Sequence, residues 1–98
     1  MAAGYVGILS AELHFPASRS LKDKRQFLRS AKARLQRMGA AVAEVDHHDT
    51  WQRARLTVSV VAREYREAER LLDESERYLA GQEWELGSVQ RSVVSPDD

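Results

Sequence analysis

Residues 18–38, SRSLKDKRQFLRSAKARLQRM, constrain the fold of this chain more than any other stretch, because every level of reading makes them a helix. At about 100° per residue, Leu21, Phe27, Leu28, Ala31, Leu35 and Met38 share one arc, and Lys22, Arg25, Arg29 and Lys32, with Gln36, share the next. Ser20 is the expected N-cap. Asp23 puts a carboxylate at the third helical position, against the positive end of the dipole, and Gly39 is the stop. Lys24 falls inside the apolar arc but in the first turn, so its alkyl stem is expected to pack while the ammonium reaches water. Such a helix needs a partner for its apolar face, and the flanking sequence supplies strands.

From residue 5 to 15 the pattern alternates, with Leu9, Ala11, Leu13 and Phe15 on one face and Ser10, Glu12 and His14 on the other. This is a half-buried strand ended by Pro16. After Gly39, Ala41, Ala43 and Val45 alternate with Val42, Glu44 and Asp46 in a second strand. The turn HHDT, residues 47–50, leads into a third strand over about residues 51–62, with Leu56, Val58 and Val60 inward and Arg53, Arg55, Thr57 and Ser59 outward. A second helix, about residues 64–80, carries Tyr65, Ala68, Leu71, Leu72 and Leu79 on its stripe, has a net acidic polar face, and stops at Gly81. Residues 83–94 read as the last strand. Trp84, Leu86, Val89 and Val93 do not keep one parity there, so a bulge near Gly87 is expected.

The order β-α-β-β-α-β with short connections predicts an α+β fold of the ferredoxin-like type, a split β-α-β sandwich. Right-handed crossovers put both helices on one face of a four-stranded antiparallel sheet of order 4-1-3-2, leaving the other face open. The loop before the first helix, the HHDT hairpin and the Gly81 turn then share one end. Residues 1–98 are expected to form a single domain, with 1–4 and 95–98 frayed. With 43% hydrophobic and 31% charged residues the chain lies outside the disordered class, and the absence of cysteine excludes disulfides, thiolate metal sites and a thiol nucleophile. The start of the chain has no basic leader and is broken by Gly7, Ser10 and Glu12. No apolar run approaches membrane-spanning length, so a cytoplasmic protein with no membrane partner is expected.

The segments LHFPASRSLKDKR, residues 13–25, and AEVDHHDTWQRA, residues 43–54, resemble the two signature stretches of the YlxP-like family of bacterial proteins of unknown function, domain of unknown function 503. The resemblance covers nearly the whole chain and implies a ferredoxin-like fold. Genes of that family often lie beside those for a translation initiation factor and a ribosome-binding factor, which implies ribosomal or RNA-linked work. It implies no activity, substrate or catalytic residue.

Charge distribution points the same way. The stretch at 18–38 holds eight of the fifteen Lys and Arg residues against the single acid Asp23, in a chain of zero formal net charge. On a helix, Lys22, Arg25, Arg29 and Lys32 form a strip that can follow a nucleic-acid backbone, and Arg19, with Ser18 and Ser20, stands beside the free N–H groups of the helix start. The competing explanation is a solvated face, partly neutralised by the acidic second helix packed beside it. The outward sheet positions carry no aromatic platform for stacked bases, so RNA would be met by the helix and the end loops. The expected nucleic-acid-binding residues are Arg19, Lys22, Arg25, Arg29 and Lys32, with His47, His48, Trp51 and Arg53 as an interface or end-loop site.

Trp51 is expected to fold back over the sheet as a satellite core residue; left exposed, it would be an interface anchor or a stacking surface. The cluster Asp46, His47, His48 and Asp49 has no metal-ligand spacing, since adjacent strand residues point to opposite faces, and no metal or other cofactor is expected. His14 or His48 as a base, oriented by Asp46 or Glu44, lacks a nucleophile, oxyanion donors and a cleft, so no enzyme is expected. The expected function is a small accessory protein binding structured RNA, ribosomal RNA or a ribosomal subunit. The alternative is a non-enzymatic protein-interaction or homodimerisation module using the open sheet face, where Glu12, Glu44, Asp46, Arg53 and Arg55 would form a charge lattice.

Overall fold

The computed structural model describes residues 3–97. The alternation at the start of the chain folds as strand β1, Tyr5–His14, with Gly7, Leu9, Ala11 and Leu13 buried. Helix α1, Leu21–Arg37, opens on an N-cap: Ser20 Oγ accepts the Asp23 N–H at 3.1 Å, and Asp23 Oδ2 reaches back past the cap to accept the Arg19 N–H at 2.9 Å. It closes on a Schellman turn. Gly39, at φ 91°, lets the Ala40 N–H reach Leu35 O at 3.1 Å and its own N–H reach Gln36 O at 3.0 Å. Strands β2, Ala41–Asp46, and β3, Arg53–Ala62, follow as a hairpin; then come α2, Tyr65–Ala80, and β4, Glu85–Val94.

Every pairing is antiparallel and the sheet order is β2-β3-β1-β4, the 4-1-3-2 arrangement read from the other edge. Both helices cover one face. Leu28, Ala31 and Leu35 of α1 and Leu72 and Leu79 of α2 meet Leu9, Ala11, Leu13, Leu56, Val58 and Val60 in one core. Each large aliphatic side chain buried there contributes about 1.5–3 kcal/mol. Gly7 marks the closest approach of α2 to the sheet: a Cβ there would stand 2.9 Å from Val60 Cγ2 and 3.1 Å from Leu72 Cδ1. Tyr65, expected on the apolar stripe of α2, is instead half exposed and meets the Tyr5 ring edge-on.

Two bulges set which side chains face the helices. On β4, Ala11 lies opposite Val89 and Leu13 opposite Leu86, so the extra residue falls at Gly87 and Ser88, where the broken parity required it. On β2, Glu44 lies opposite Leu56 and Asp46 opposite Arg55, so Val45 is the extra residue. This second bulge corrects the expected lattice. Ala41 and Ala43 lie opposite Ser59 and Thr57 on the open face, whereas Val42 and Glu44 lie opposite Val58 and Leu56 and face α1. Glu44 is thereby withdrawn from the open face.

Trp84, just before β4, plugs the end of the core. Its ring packs edge-on against Phe15, Phe27 and Tyr78, and its Nε1 donates to Leu79 O at 2.9 Å, satisfying a carbonyl in the last turn of α2. Of the end segments expected to fray, residues 1, 2 and 98 lie outside the described residues. Within them, the Ala3 N–H donates to Asp97 Oδ2 at 2.7 Å and Ser95 Oγ to Gly4 O at 3.1 Å. Among the described residues no helix is long and apolar enough to cross a membrane.

Candidate functional site

The end of the molecule that carries both signature stretches is built around Lys24. Its place on the core arc of α1 aims it at the β2–β3 hairpin, and only 2% of its side chain is exposed. The ammonium does not reach water as expected. Nζ donates to His47 O at 2.8 Å and Arg53 O at 3.2 Å, lies 3.4 Å from His48 O, and pairs with Glu44 Oε2 at 3.0 Å. A buried ammonium without such a cage costs several kcal/mol. His47 adopts φ 67°, uncommon for a residue with a Cβ, and its carbonyl also accepts the Thr50 N–H at 3.1 Å. The hairpin is thus wound around the lysine.

Gln52 makes the second tie. Its Nε2 donates to Ser18 O at 3.1 Å and its carbonyl accepts the Phe15 N–H at 2.8 Å, while the fully buried Ser18 turns its Oγ to Ser20 O. Residues 13–25 and 43–54 therefore hold each other in place. At the helix start Ser18 points inward, Ser20 Oγ accepts the Asp23 N–H and the Asp23 carboxylate accepts the Arg19 N–H, so the Ser18 hydroxyl is not turned to meet an anion.

Outside this unit, Arg19, Lys22, Arg25 and Arg29 are exposed and Lys32 partly so. By helical geometry Lys22, Arg25, Arg29 and Lys32 occupy an arc of about 80° and extend for about 15 Å along α1. Helix α2 touches the opposite flank of α1, where Tyr78 Oη meets Ser30 O at 3.5 Å and the Arg34 guanidinium lies 5.7 Å from the Tyr78 ring. The strip faces away from α2.

No carboxylate of α2 comes within ion-pairing distance of the strip among the described residues. Among the described residues Arg19, Lys22, Arg25, Arg29 and Lys32 pair with no carboxylate. Three acids of α2 turn the other way, to Arg91 on β4: Asp73 at 2.7 Å, Glu76 at 3.3 Å and Glu69 at 3.4 Å, while Glu74 pairs with Arg70. Burial works against the charge on Arg91, but hydrogen bonding and attraction from Asp73, Glu76 and Glu69 outweigh it and raise its pKa. The charges of the two helices are sorted without being paired.

On the open face the same end carries a small network. Glu12 accepts from Arg55 at 2.9 Å, meets His47 Nε2 at 3.2 Å and has Arg53 at 3.9 Å; Arg55 also donates to Gln90 Oε1, and His14 Nδ1 meets Glu85 Oε1 at 2.8 Å. Burial tends to raise the Glu12 pKa, but the hydrogen bonds from Arg55 and His47 outweigh it and hold the carboxyl below its usual value. A shallow pocket of about 280 Å³ lies beside it, between His14, Arg53 and the Gly87 bulge. His48 Nε2 meets Glu44 O at 3.2 Å, so the two adjacent histidines serve different partners within the hairpin. Among the described residues no three His, Asp or Glu side chains gather as a metal-ligand set.

Trp51 does not take the core place expected of it. It is 52% exposed at the hairpin end, because Trp84, Phe15 and Phe27 already fill that end of the core. The structure thus brings Lys22, Arg25, Arg29 and Lys32 into one strip with Arg19 near its start, and separates His47 and Arg53, turned to the open face, from Trp51 at the tip. Lys24, Glu44 and Gln52 were missed as organising residues. The available signal was a lysine within the apolar arc of a helix, which requires an acid on the strand it faces.

A family model described as "Protein of unknown function (DUF503)" matches residues 6–91. No curated protein matches the chain. Among solved structures the chain is similar to one titled "De novo designed protein Ferredog-Diesel", at 17% sequence identity and TM-score 0.50, over 92% of this chain and 88% of that one. At that identity the likeness speaks for the ferredoxin-like arrangement alone.

Proposed function

Because the chain belongs to the DUF503 family of proteins of unknown function, we propose a role from its own geometry: it is a small cytoplasmic accessory protein that binds structured RNA, ribosomal RNA or a ribosomal subunit. The observation that carries this reading is the cation strip Lys22, Arg25, Arg29 and Lys32, with Arg19 beside it, solvated, mounted on a capped helix and paired with no acid among the described residues. Cations in that state are free to neutralise phosphates and release counterions; their spacing suits a backbone, not base edges. No cofactor, metal or catalytic step enters this role.

Binding to purified ribosomal subunits and to a structured RNA, titrated over several salt concentrations, tests it. About four phosphate contacts give a log–log slope of affinity against salt near −3 to −4. The variant Arg25→Glu/Arg29→Glu, shown to fold by circular dichroism, should lose binding at every salt concentration. Wild-type protein that binds neither target at low salt refutes the role.

A second reading is supported by the opposite end of the open face. Val6 lies opposite both Val61 and Val94, and with Val61 72% exposed this makes an apolar row across three strands. A homodimer or protein contact through that row is the alternative, and unlike RNA binding it responds only weakly to salt.

A further inference from the structure

The exposed tryptophan carries an inference beyond phosphate contact. Large aromatic rings are rarely left in water, and the core-facing position near this end is already taken by Trp84. Nor is Trp51 on a loose loop. Its chain neighbour Gln52 is bonded through its carbonyl to the Phe15 N–H at 2.8 Å and through its side chain to Ser18 O at 3.1 Å. On either side of it, His47 O and Arg53 O are held by the Lys24 ammonium. The ring is therefore mounted on a braced hairpin, beside the loop that delivers Arg19 and the first turn of α1. A ring held in advance loses little conformational freedom on binding.

We infer that Trp51 is a stacking platform for one unpaired base of the bound RNA, next to the duplex whose phosphates lie on the α1 strip. This rests on the RNA role proposed above and names the RNA class: a helix bordered by an unpaired nucleotide. The surroundings favour a base over a protein surface. An anchor for a protein partner sits within a packed, apolar patch, whereas the neighbours of this ring in the chain, His48, Asp49, Thr50, Gln52 and Arg53, are all polar. A flat π face among polar groups, on a hairpin bonded to the loop that carries Arg19, suits a nucleobase, which is itself flat, polar at its edges and tied to a phosphate.

The test uses the whole protein with a blunt RNA duplex and with the same duplex carrying a two-nucleotide single-stranded extension. Wild type should bind the extended duplex more tightly by a factor of about 5–150, the range that stacking of one base on an aromatic ring supplies. Trp51→Ala should erase this preference while leaving the blunt-duplex affinity and its salt slope unchanged, and Trp51→Phe should keep most of it. Equal wild-type affinity for the two RNAs, or a Trp51→Ala variant that retains the preference, overturns the inference and leaves the phosphate-binding role standing; the second result assigns the ring to another occupant, such as a protein. A Trp51→Ala variant weakened equally on both RNAs overturns it as well. Absence of all RNA binding overturns both.

Discussion

Lys24→Met removes the ammonium around which the hairpin is wound while keeping most of the volume of its stem, so packing changes little and charge changes entirely. In the wild type the ammonium is 2% exposed and Glu44 15% exposed, with three carbonyl oxygens within 3.4 Å of Nζ. The variant leaves the carboxylate inside without its cation and takes a donor from each carbonyl. Breaking a buried pair by removing one partner costs about 3–5 kcal/mol. For a domain of this size the melting temperature should then fall by about 12–40 °C. Urea unfolding followed by circular dichroism gives the loss directly, and amide exchange should show faster opening at residues 47–53 than in the core strands. The double variant Lys24→Met/Glu44→Gln removes both charges and should be more stable than Lys24→Met alone, since no uncompensated carboxylate remains. A loss below about 1 kcal/mol for Lys24→Met, typical of a solvated pair, would falsify the cage, as would a double variant no more stable than the single one.

Gly7→Ala should cost about 1–3 kcal/mol by forcing Val60 and Leu72 apart where α2 meets β1, seen as a lower urea midpoint with an unchanged slope. Glu12 has its pKa lowered in the fold, so its contribution is present above the ordinary value of 4.5 and is lost as pH falls through the folded value. Glu12→Gln should flatten that acid limb, so urea midpoints measured from pH 7 down to pH 3 fall less steeply than in the wild type. A limb of unchanged steepness would show that the Arg55 and His47 contacts do not stabilise the carboxylate.

The strands and helices of this fold are legible because each repeats a period, two or 3.6 residues, long enough to outweigh local exceptions. Caps at Ser20 and Gly39 and the bulge near Gly87 are legible for a related reason: each is a local conflict with the period and has a local answer. The bulge at Val45 is not legible, because Ala43, Val45 and their neighbours satisfy an unbroken alternation in either register. That one residue decides whether Glu44 faces solvent or Lys24, so the buried pair was hidden by the same ambiguity. The cations of the candidate site were readable from spacing, whereas their lack of partners was not. It depends on Arg91, fifty-nine positions beyond Lys32, drawing the acids of α2 to the far edge of the sheet.

That diversion leaves the charge of the molecule unevenly distributed. With zero formal net charge, the whole protein is neither drawn to nor driven from a polyanion at long range. It nevertheless carries an internal electric dipole, positive along the outer flank of α1 and negative along α2, and a dipole in the field of a charged polymer experiences a torque before it experiences a net pull. Within a Debye length, about 8 Å at physiological salt, the molecule rotates to present α1. On the RNA role proposed above, capture would therefore be a near-contact, orientation-dependent event, without the indiscriminate coating of nucleic acid expected of a basic domain of the same size.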